Sequence, residues 1–138
     1  MKKLLTLALA LTIALTATLI SACKKEPLVI KESDTYVIVK DKTDETDLTL
    51  ANYMNSLEDY KDMFVIENGM VISINGIQNA SDWSACWMLY TDDYSEEASN
   101  SAWGTLEYQE KTYNSAALGA ESLIVKDGCS YIWVYQTF

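Results

Sequence analysis

The spacing of hydrophobic and polar residues divides this chain into three parts. Residues 4–20 form an unbroken run of apolar residues and threonines. Further along, apolar residues recur at the i, i+4 and i+7 spacing of one helical face, which predicts an amphipathic helix over residues 48–60 with Asp47 as its N-cap. Beyond this helix the hydrophobic period shortens to two, which is typical of strands.

Short segments rich in β-branched and aromatic residues predict a series of strands. Asn68-Gly69 and Asn75-Gly76 are suited to tight turns, and Gln109-Glu110 lies where a further hairpin turn is expected. The fold class is therefore predicted to be α+β, with one helix packed on a mostly antiparallel β-sheet. The predicted strands are residues 35–40, 63–67, 70–75, 85–91, 106–108, 111–113 and 130–135.

The beginning of the chain has the three parts of an export signal. Two lysines precede the apolar run, and the small residues Ser21 and Ala22 end it. The tetrad that ends at Cys23 resembles the lipobox of bacterial lipoproteins. This resemblance implies that residues 1–22 are a signal peptide, that lipidation of Cys23 adds acyl chains such as palmitate, and that the protein is extracytoplasmic and lipid-anchored to the cell membrane. The alternative is a retained transmembrane anchor, since about 20 apolar residues cross a bilayer.

The remainder of the chain has the size of one small domain. Residues 23–34 are mostly polar and contain the only proline, so they are expected to form the lipidated cysteine and a tether. Residues 35–138 are then predicted to form a single domain.

Composition excludes several classes of function. The chain carries 20 acidic and 10 basic residues, a net charge of −10 at pH 7, which repels phosphate backbones. Nucleic acid is therefore not an expected partner. The chain contains neither histidine nor arginine, which excludes Ser-His-Asp and Cys-His hydrolysis. Glycoside hydrolysis needs only two carboxylates, which this chain has, but no motif supports it here. An enzyme is therefore not expected.

Several short segments, taken together, resemble the transcobalamin-like C-terminal domain family across residues 36–135. In the vitamin B12 carriers of this family, the small β-rich domain covers one face of the corrin and a separate helical barrel holds the other. The resemblance implies non-covalent binding of cobalamin or a related corrinoid for uptake, with a transporter or a helical subunit as partner and no cofactor required. The segments are Met70-Val71-Ile72-Ser73-Ile74-Asn75-Gly76, Trp87-Met88-Leu89-Tyr90, Leu118-Gly119, Val125-Lys126-Asp127-Gly128 and Ile132-Trp133-Val134-Tyr135.

The same resemblance assigns ligand contacts to a flat aromatic wall, formed by Trp87 and Tyr90 on one strand, and to a rim of small residues. Aromatic faces offer an apolar surface, and small side chains expose backbone groups to a flat ligand that is rimmed by amides. The alternative is that Trp87 and Trp133 belong to the core and that Leu118-Gly119 is a packed turn. The implied ligand-binding residues are Trp87, Tyr90, Tyr113, Asn114, Ser115, Leu118 and Gly119.

Two further groups of residues leave alternatives open. Cys86 and Cys129 lie on or beside two predicted strands, where they form either a disulfide or two buried free thiols. No metal site is expected, because histidine is missing. An acidic loop follows the aromatic strand, and a solvated loop is favoured there over a calcium site. Its residues are Asp92, Asp93, Glu96 and Glu97.

Three aromatic residues near that loop support a second functional hypothesis. Trp83, Tyr94 and Trp103 are predicted to form an exposed patch for a glycan, a corrinoid or another protein. If the patch recognises a glycan or another protein, the chain is a cell-surface interaction module without a small-molecule ligand. The alternative is that Trp83 and Trp103 only cover the ends of the sheet.

Overall fold

A computed structural model describes residues 27–138. The predicted signal peptide, Cys23 and the first part of the predicted tether lie outside the described residues. Two antiparallel sheets and one short α-helix make up the described part, so the coarse α+β prediction is confirmed. The strands are β1 (Val29–Ser33), β2 (Tyr36–Lys40), β3 (Phe64–Glu67), β4 (Met70–Ile74), β5 (Ile77–Gln78), β6 (Ala85–Thr91), β7 (Ser99–Tyr108), β8 (Lys111–Ala116) and β9 (Ser130–Thr137).

The larger sheet has six strands in the order β1–β2–β9–β6–β8–β7, and the smaller sheet has the order β3–β4–β5. Every neighbouring pair is antiparallel. The central pair β6–β9 is matched over the whole of β6, from Ala85 opposite Thr137 to Thr91 opposite Tyr131. This long pairing fixes which side chains of β6 share a face.

The turn chemistry read from the sequence is confirmed. All four residues of these two turns have positive φ: 50° at Asn68 and 83° at Gly69, then 54° at Asn75 and 78° at Gly76. Such left-handed pairs match the twist of the flanking strands, and asparagine and glycine adopt them at low cost. Gln109-Glu110 adopts the same conformation, with φ of 49° and 62°. This less favourable turn is held by the strand pairing of β7 with β8 on both sides of it.

The helix is shorter than predicted and has a different cap. It runs from Leu50 to Ser56 and is labelled α1, with a 3₁₀ turn at Lys61–Met63 following it. Thr49 is the N-cap, because its hydroxyl accepts a hydrogen bond of 3.2 Å from the backbone N–H of Asn52. Asp47, the predicted cap, lies outside the helix with φ of 62°. The buried face of α1 consists of Leu50, Ala51, Tyr53 and Met54.

The first strand forms where a tether was predicted. Val29–Ser33 pairs with β2, with Val29 opposite Val39 and Ile30 opposite Ile38. Val29 is buried in the core, although polar residues surround this short apolar segment in the sequence. The domain therefore includes residues assigned by sequence to the tether.

The core lies on both faces of the larger sheet. On one face, a cluster packs the larger sheet against α1 and the smaller sheet. This cluster includes Leu50, Met54, Phe64, Trp87 and Leu89. Strand residues alternate between faces, so their neighbours pack on the other side. The second cluster, on that opposite face, consists of Ile38, Tyr90, Tyr113 and Ile132.

Candidate functional site

The two aromatic residues predicted to form one ligand-binding wall lie on different faces of the larger sheet. Trp87 is buried in the cluster beneath α1, and Tyr90 is buried in the cluster on the other face. The reason is the period of two along a strand, because residues three apart project in opposite directions. The prediction of a single aromatic wall is wrong.

The predicted contact loop is also different in the structure. Tyr113, Asn114 and Ser115 belong to strand β8, and Tyr113 and Ser115 are buried. Asn114 projects to the other face by strand alternation and is half-buried. The loop begins only after β8, where Leu118 and Gly119 are exposed. The small residues read as a loop are therefore partly a strand, because pairing with β6 and β7 orders them.

An opening in the larger sheet brings four of the seven predicted residues together. β8 pairs with β6 at only two positions, with Tyr90 opposite Ser115 and Thr91 opposite Asn114, and then leaves. Among residues 27–138, the earlier residues of β6 have no strand partner on that side. A cavity of about 130 Å³ lies there, and we call it the notch. It is lined by Met70, Val71, Trp87, Met88, Leu89, Ser115, Ala116, Leu118, Gly119, Ala120 and Trp133.

One wall of the notch contains a buried polar group without a partner. Trp133 is only 4% exposed, and its indole N–H has no hydrogen-bond acceptor among the described residues. The other indole in the notch is satisfied, because Trp87 donates its N–H to the carbonyl oxygen of Ile77 at 2.8 Å. Burying a donor without an acceptor costs about 1–3 kcal/mol. The sequence predicts a core position for Trp133 as one alternative, but no sequence signal shows that its N–H lacks an acceptor among the described residues.

At the rim of the notch, the backbone of Gly119 packs closely against the β3–β4 turn. A Cβ atom on Gly119 would lie 2.7 Å from the backbone oxygen of Gly69 in the β3–β4 turn. Only glycine, which has no Cβ, allows the two backbones to approach this closely. The segment after β8 therefore lies directly against the β3–β4 turn of the smaller sheet.

A second and larger depression adjoins the notch. We call it the groove; its volume is about 390 Å³, and Leu118 lines both it and the notch. Leu118 is 45% exposed, and Ile124 adds another exposed apolar side chain. Asp93 and Lys126 provide a charged edge, with the ammonium nitrogen 3.7 Å from a carboxylate oxygen. The groove is lined by Asp93, Ser95, Glu97, Ala98, Leu118, Ser122, Leu123, Ile124, Val125 and Lys126.

The three aromatic residues of the second hypothesis are exposed but do not form one patch. Trp83, Tyr94 and Trp103 are 54%, 56% and 64% exposed. Trp83 precedes β6 and Tyr94 follows it, and a strand of this length separates its ends by about 20 Å. Trp103 lies instead in a bulge of the edge strand β7. The prediction of a shared patch is wrong.

Within residues 27–138, Cys86 and Cys129 are free thiols. Cys86 lies opposite Gln136 near the end of β9, whereas Cys129 precedes the first residue of β9. Cys129 and Gln136 are seven positions apart in the sequence. That separation spans about 23 Å along a strand, against the 5.5–6 Å between Cα atoms in a typical disulfide. The disulfide alternative is wrong. Burial raises the pKa of Cys86, and it raises that of Cys129 to about 11.

The acidic loop is less solvated than expected. The Asp92 side chain is buried, where it accepts hydrogen bonds from the ammonium group of Lys111 and the backbone N–H of Ser130, each at 2.6 Å. The bond to Asp92 raises the pKa of Lys111. Asp93 is also buried, and Glu96 and Glu97 are exposed. Within residues 27–138, no group of three or more His, Cys, Asp or Glu side chains is arranged to hold a metal ion.

Comparisons with known protein families, with curated proteins and with solved structures yield no match. Among residues 27–138, no helix combines the length and apolar composition needed to cross a bilayer.

Proposed function

We propose that this protein is a membrane-anchored extracytoplasmic lipoprotein whose domain, with a transcobalamin-like fold, binds a corrinoid or a similar small molecule without catalysis. The single observation that supports ligand binding most strongly is the indole N–H of Trp133 beside the notch, which has no hydrogen-bond acceptor within residues 27–138. A hydrogen-bond acceptor on a ligand would relieve the cost of burying that donor. The proposals of a lipid anchor and of a corrinoid ligand are based on the two sequence resemblances. The structure contributes the two depressions in which such a ligand could bind.

The sizes of the two depressions decide how such a ligand would lie. Sites for drug-sized ligands enclose about 300–1,000 Å³, so the notch, at about 130 Å³, holds only a protruding group. The groove, at about 390 Å³, falls within that range. In our proposal the apolar body of the ligand rests on Leu118 and the groove, and an amide side arm enters the notch toward Trp133. A corrin is rimmed by such arms.

Calorimetric titration of the full chain in detergent micelles with cyanocobalamin and with cobinamide tests this proposal. We expect saturable heat with at least one of the two. The Trp133→Phe variant keeps an aromatic ring and loses the N–H, so its affinity should fall by about tenfold, the value of one hydrogen bond. Trp103→Phe is the matched control and should bind as well as the unmodified protein. Absence of heat with both ligands at high micromolar concentration would remove the corrinoid proposal.

A further inference from the structure

A four-residue bulge in the edge strand β7 creates a depression that the proposed function does not use. Asn100 lies opposite Ser115 and Thr105 lies opposite Asn114, although Ser115 and Asn114 are consecutive on β8. The residues between Asn100 and Thr105 therefore have no partners on β8 and loop out. At the base of this bulge lies a depression of about 380 Å³, which we call the β7 depression. It is lined by Tyr94, Glu96, Ser99, Asn100, Ser101 and Asn114.

Most polar groups in the β7 depression have no partner among the described residues. The side-chain oxygen of Asn100 accepts the N–H of Ala102 at 2.9 Å, which leaves its NH₂ group free. The amide of Asn114, the carboxylate of Glu96 and the hydroxyl of Ser101 make no hydrogen bond within residues 27–138. Two amides, a carboxylate and a hydroxyl thus offer both donors and acceptors in one place.

An aromatic ring borders the same depression and is held in a fixed position. Tyr94 donates its hydroxyl hydrogen to the backbone oxygen of Thr112 at 2.7 Å, while 56% of the residue stays exposed. A ring that is fixed before binding loses little freedom when a ligand stacks on it. Trp103, in the same bulge, exposes a second aromatic ring two residues after Ser101.

This combination matches one ligand chemistry. A sugar ring carries hydroxyl groups that both donate and accept, as do amide side chains, and its C–H face packs on an aromatic ring. The volume suits one or two sugar units. Glu96 and the net charge of −10 disfavour an anionic sugar. We propose that the β7 depression binds a neutral saccharide unit of an oligosaccharide, with Tyr94 as the stacking ring and Asn100 and Asn114 as the hydroxyl-binding amides.

This site is independent of the proposed function, because the β7 depression and the notch share no lining residue. The test is titration of the full chain in detergent with three neutral oligosaccharides, namely cellohexaose, maltohexaose and chitohexaose. We expect at least one of them to bind. Tyr94→Leu, which removes the ring, should weaken that binding by about tenfold or more, whereas Tyr94→Phe, which keeps the ring, should stay within about threefold.

Further variants separate recognition from a loss of folding. Asn114→Ala and Asn100→Ala each remove one amide and should each weaken binding. Asn100 is the last paired residue of β7 before the bulge. Trp83→Leu removes an equally exposed aromatic residue outside the depression and should leave affinity unchanged. Near-ultraviolet circular dichroism verifies that each variant is folded. The proposal is overturned if none of the three oligosaccharides binds at millimolar concentration, or if folded Tyr94→Leu binds as tightly as the unmodified protein.

Discussion

Trp87 and Tyr90 are three residues apart on β6, yet they belong to two separate cores. The Trp87 ring packs edge-on against Tyr135, with ring centroids 5.4 Å apart, and its N–H is bonded to Ile77 of the smaller sheet. The Tyr90 hydroxyl donates to the side-chain oxygen of Gln136 at 3.1 Å on the other face. One strand thus connects the core beneath α1 with the core on the opposite face.

We predict that removing the Trp87 ring costs far more stability than removing only the Tyr90 hydroxyl. Trp87→Ala leaves a large cavity between the two sheets and should lower the free energy of unfolding by about 3–5 kcal/mol. Tyr90→Phe removes one partly buried hydrogen bond and should cost about 1 kcal/mol. Urea unfolding followed by far-ultraviolet circular dichroism measures both. Equal losses for the two variants would contradict this division of the core.

The contact between Gly119 and Gly69 predicts a local effect at the notch. Gly119→Ala forces the new methyl group against a backbone oxygen, so the free energy of unfolding should fall by about 1–3 kcal/mol and corrinoid affinity should fall with it. Gly76→Ala is the matched control: it meets no atom within 4 Å, but its φ of 78° strains an alanine by about 1 kcal/mol. Its affinity should be unchanged. Loss of affinity in the control alone would refute the role of this contact.

The cysteines are predicted to be slow to react and never paired with each other. A reductant should not move the unfolding midpoint, and alkylation after denaturation should label both Cys86 and Cys129. In the folded protein, labelling of Cys129 should stay slow at neutral pH and accelerate only as the pH approaches its pKa of about 11. Mass spectrometry of the labelled chain distinguishes the outcomes. A peptide pair linked through the two sulfurs would disprove the strand register described above.

Asp41 is predicted to make folding stability depend on pH. It is 1% exposed, one of its carboxylate oxygens has no partner within residues 27–138, and burial raises its pKa. A carboxyl group with a raised pKa in the folded state binds protons more tightly there than in the unfolded chain. Its contribution therefore lowers stability as the pH rises from about 4, the ordinary aspartate value, through the raised pKa.

The Asp41→Asn variant isolates this contribution. In the unmodified protein, Asp41 Oδ1 accepts a hydrogen bond of 2.9 Å from the backbone N–H of Thr43. Asparagine cannot ionise, but its side-chain oxygen can accept the same bond. We expect the variant to be at least as stable as the unmodified protein at pH 7, with the difference shrinking as the pH falls toward 4. Thermal unfolding across that pH range gives the comparison. A difference that grows toward acid pH would have the wrong sign for a raised pKa.

Local chemistry explains what the sequence predicted correctly. The turns at Asn68-Gly69 and Asn75-Gly76 follow from two adjacent residues that accept positive φ, and β6 follows from its dense aromatic and apolar composition. Neither feature needs a distant partner. The separation of Trp87 from Tyr90 was also available from sequence, because an odd spacing on a strand always changes the face.

The remaining features depend on pairing between distant segments. The notch exists because β8 leaves β6 after two paired positions, and nothing in either segment alone specifies that point. The distance between Cys86 and Cys129 follows from the register of β6 on β9. The Trp133 N–H is unpaired because none of the described segments that pack around it places a hydrogen-bond acceptor there. Period and composition report burial, and they do not report which polar groups remain without partners.

An NMR titration of the full chain, labelled with nitrogen-15 at tryptophan, tests whether the Trp133 N–H gains an acceptor when a corrinoid binds. Its four indole N–H signals, assigned with single Trp→Phe variants, report on Trp83, Trp87, Trp103 and Trp133 separately. On addition of cobinamide, our account predicts that the Trp133 signal shifts downfield and saturates, as expected for a donor that gains an acceptor, while those of Trp83 and Trp103 stay in place. A Trp133 signal that does not move at saturating cobinamide, or movement confined to Trp83 and Trp103, would contradict the account.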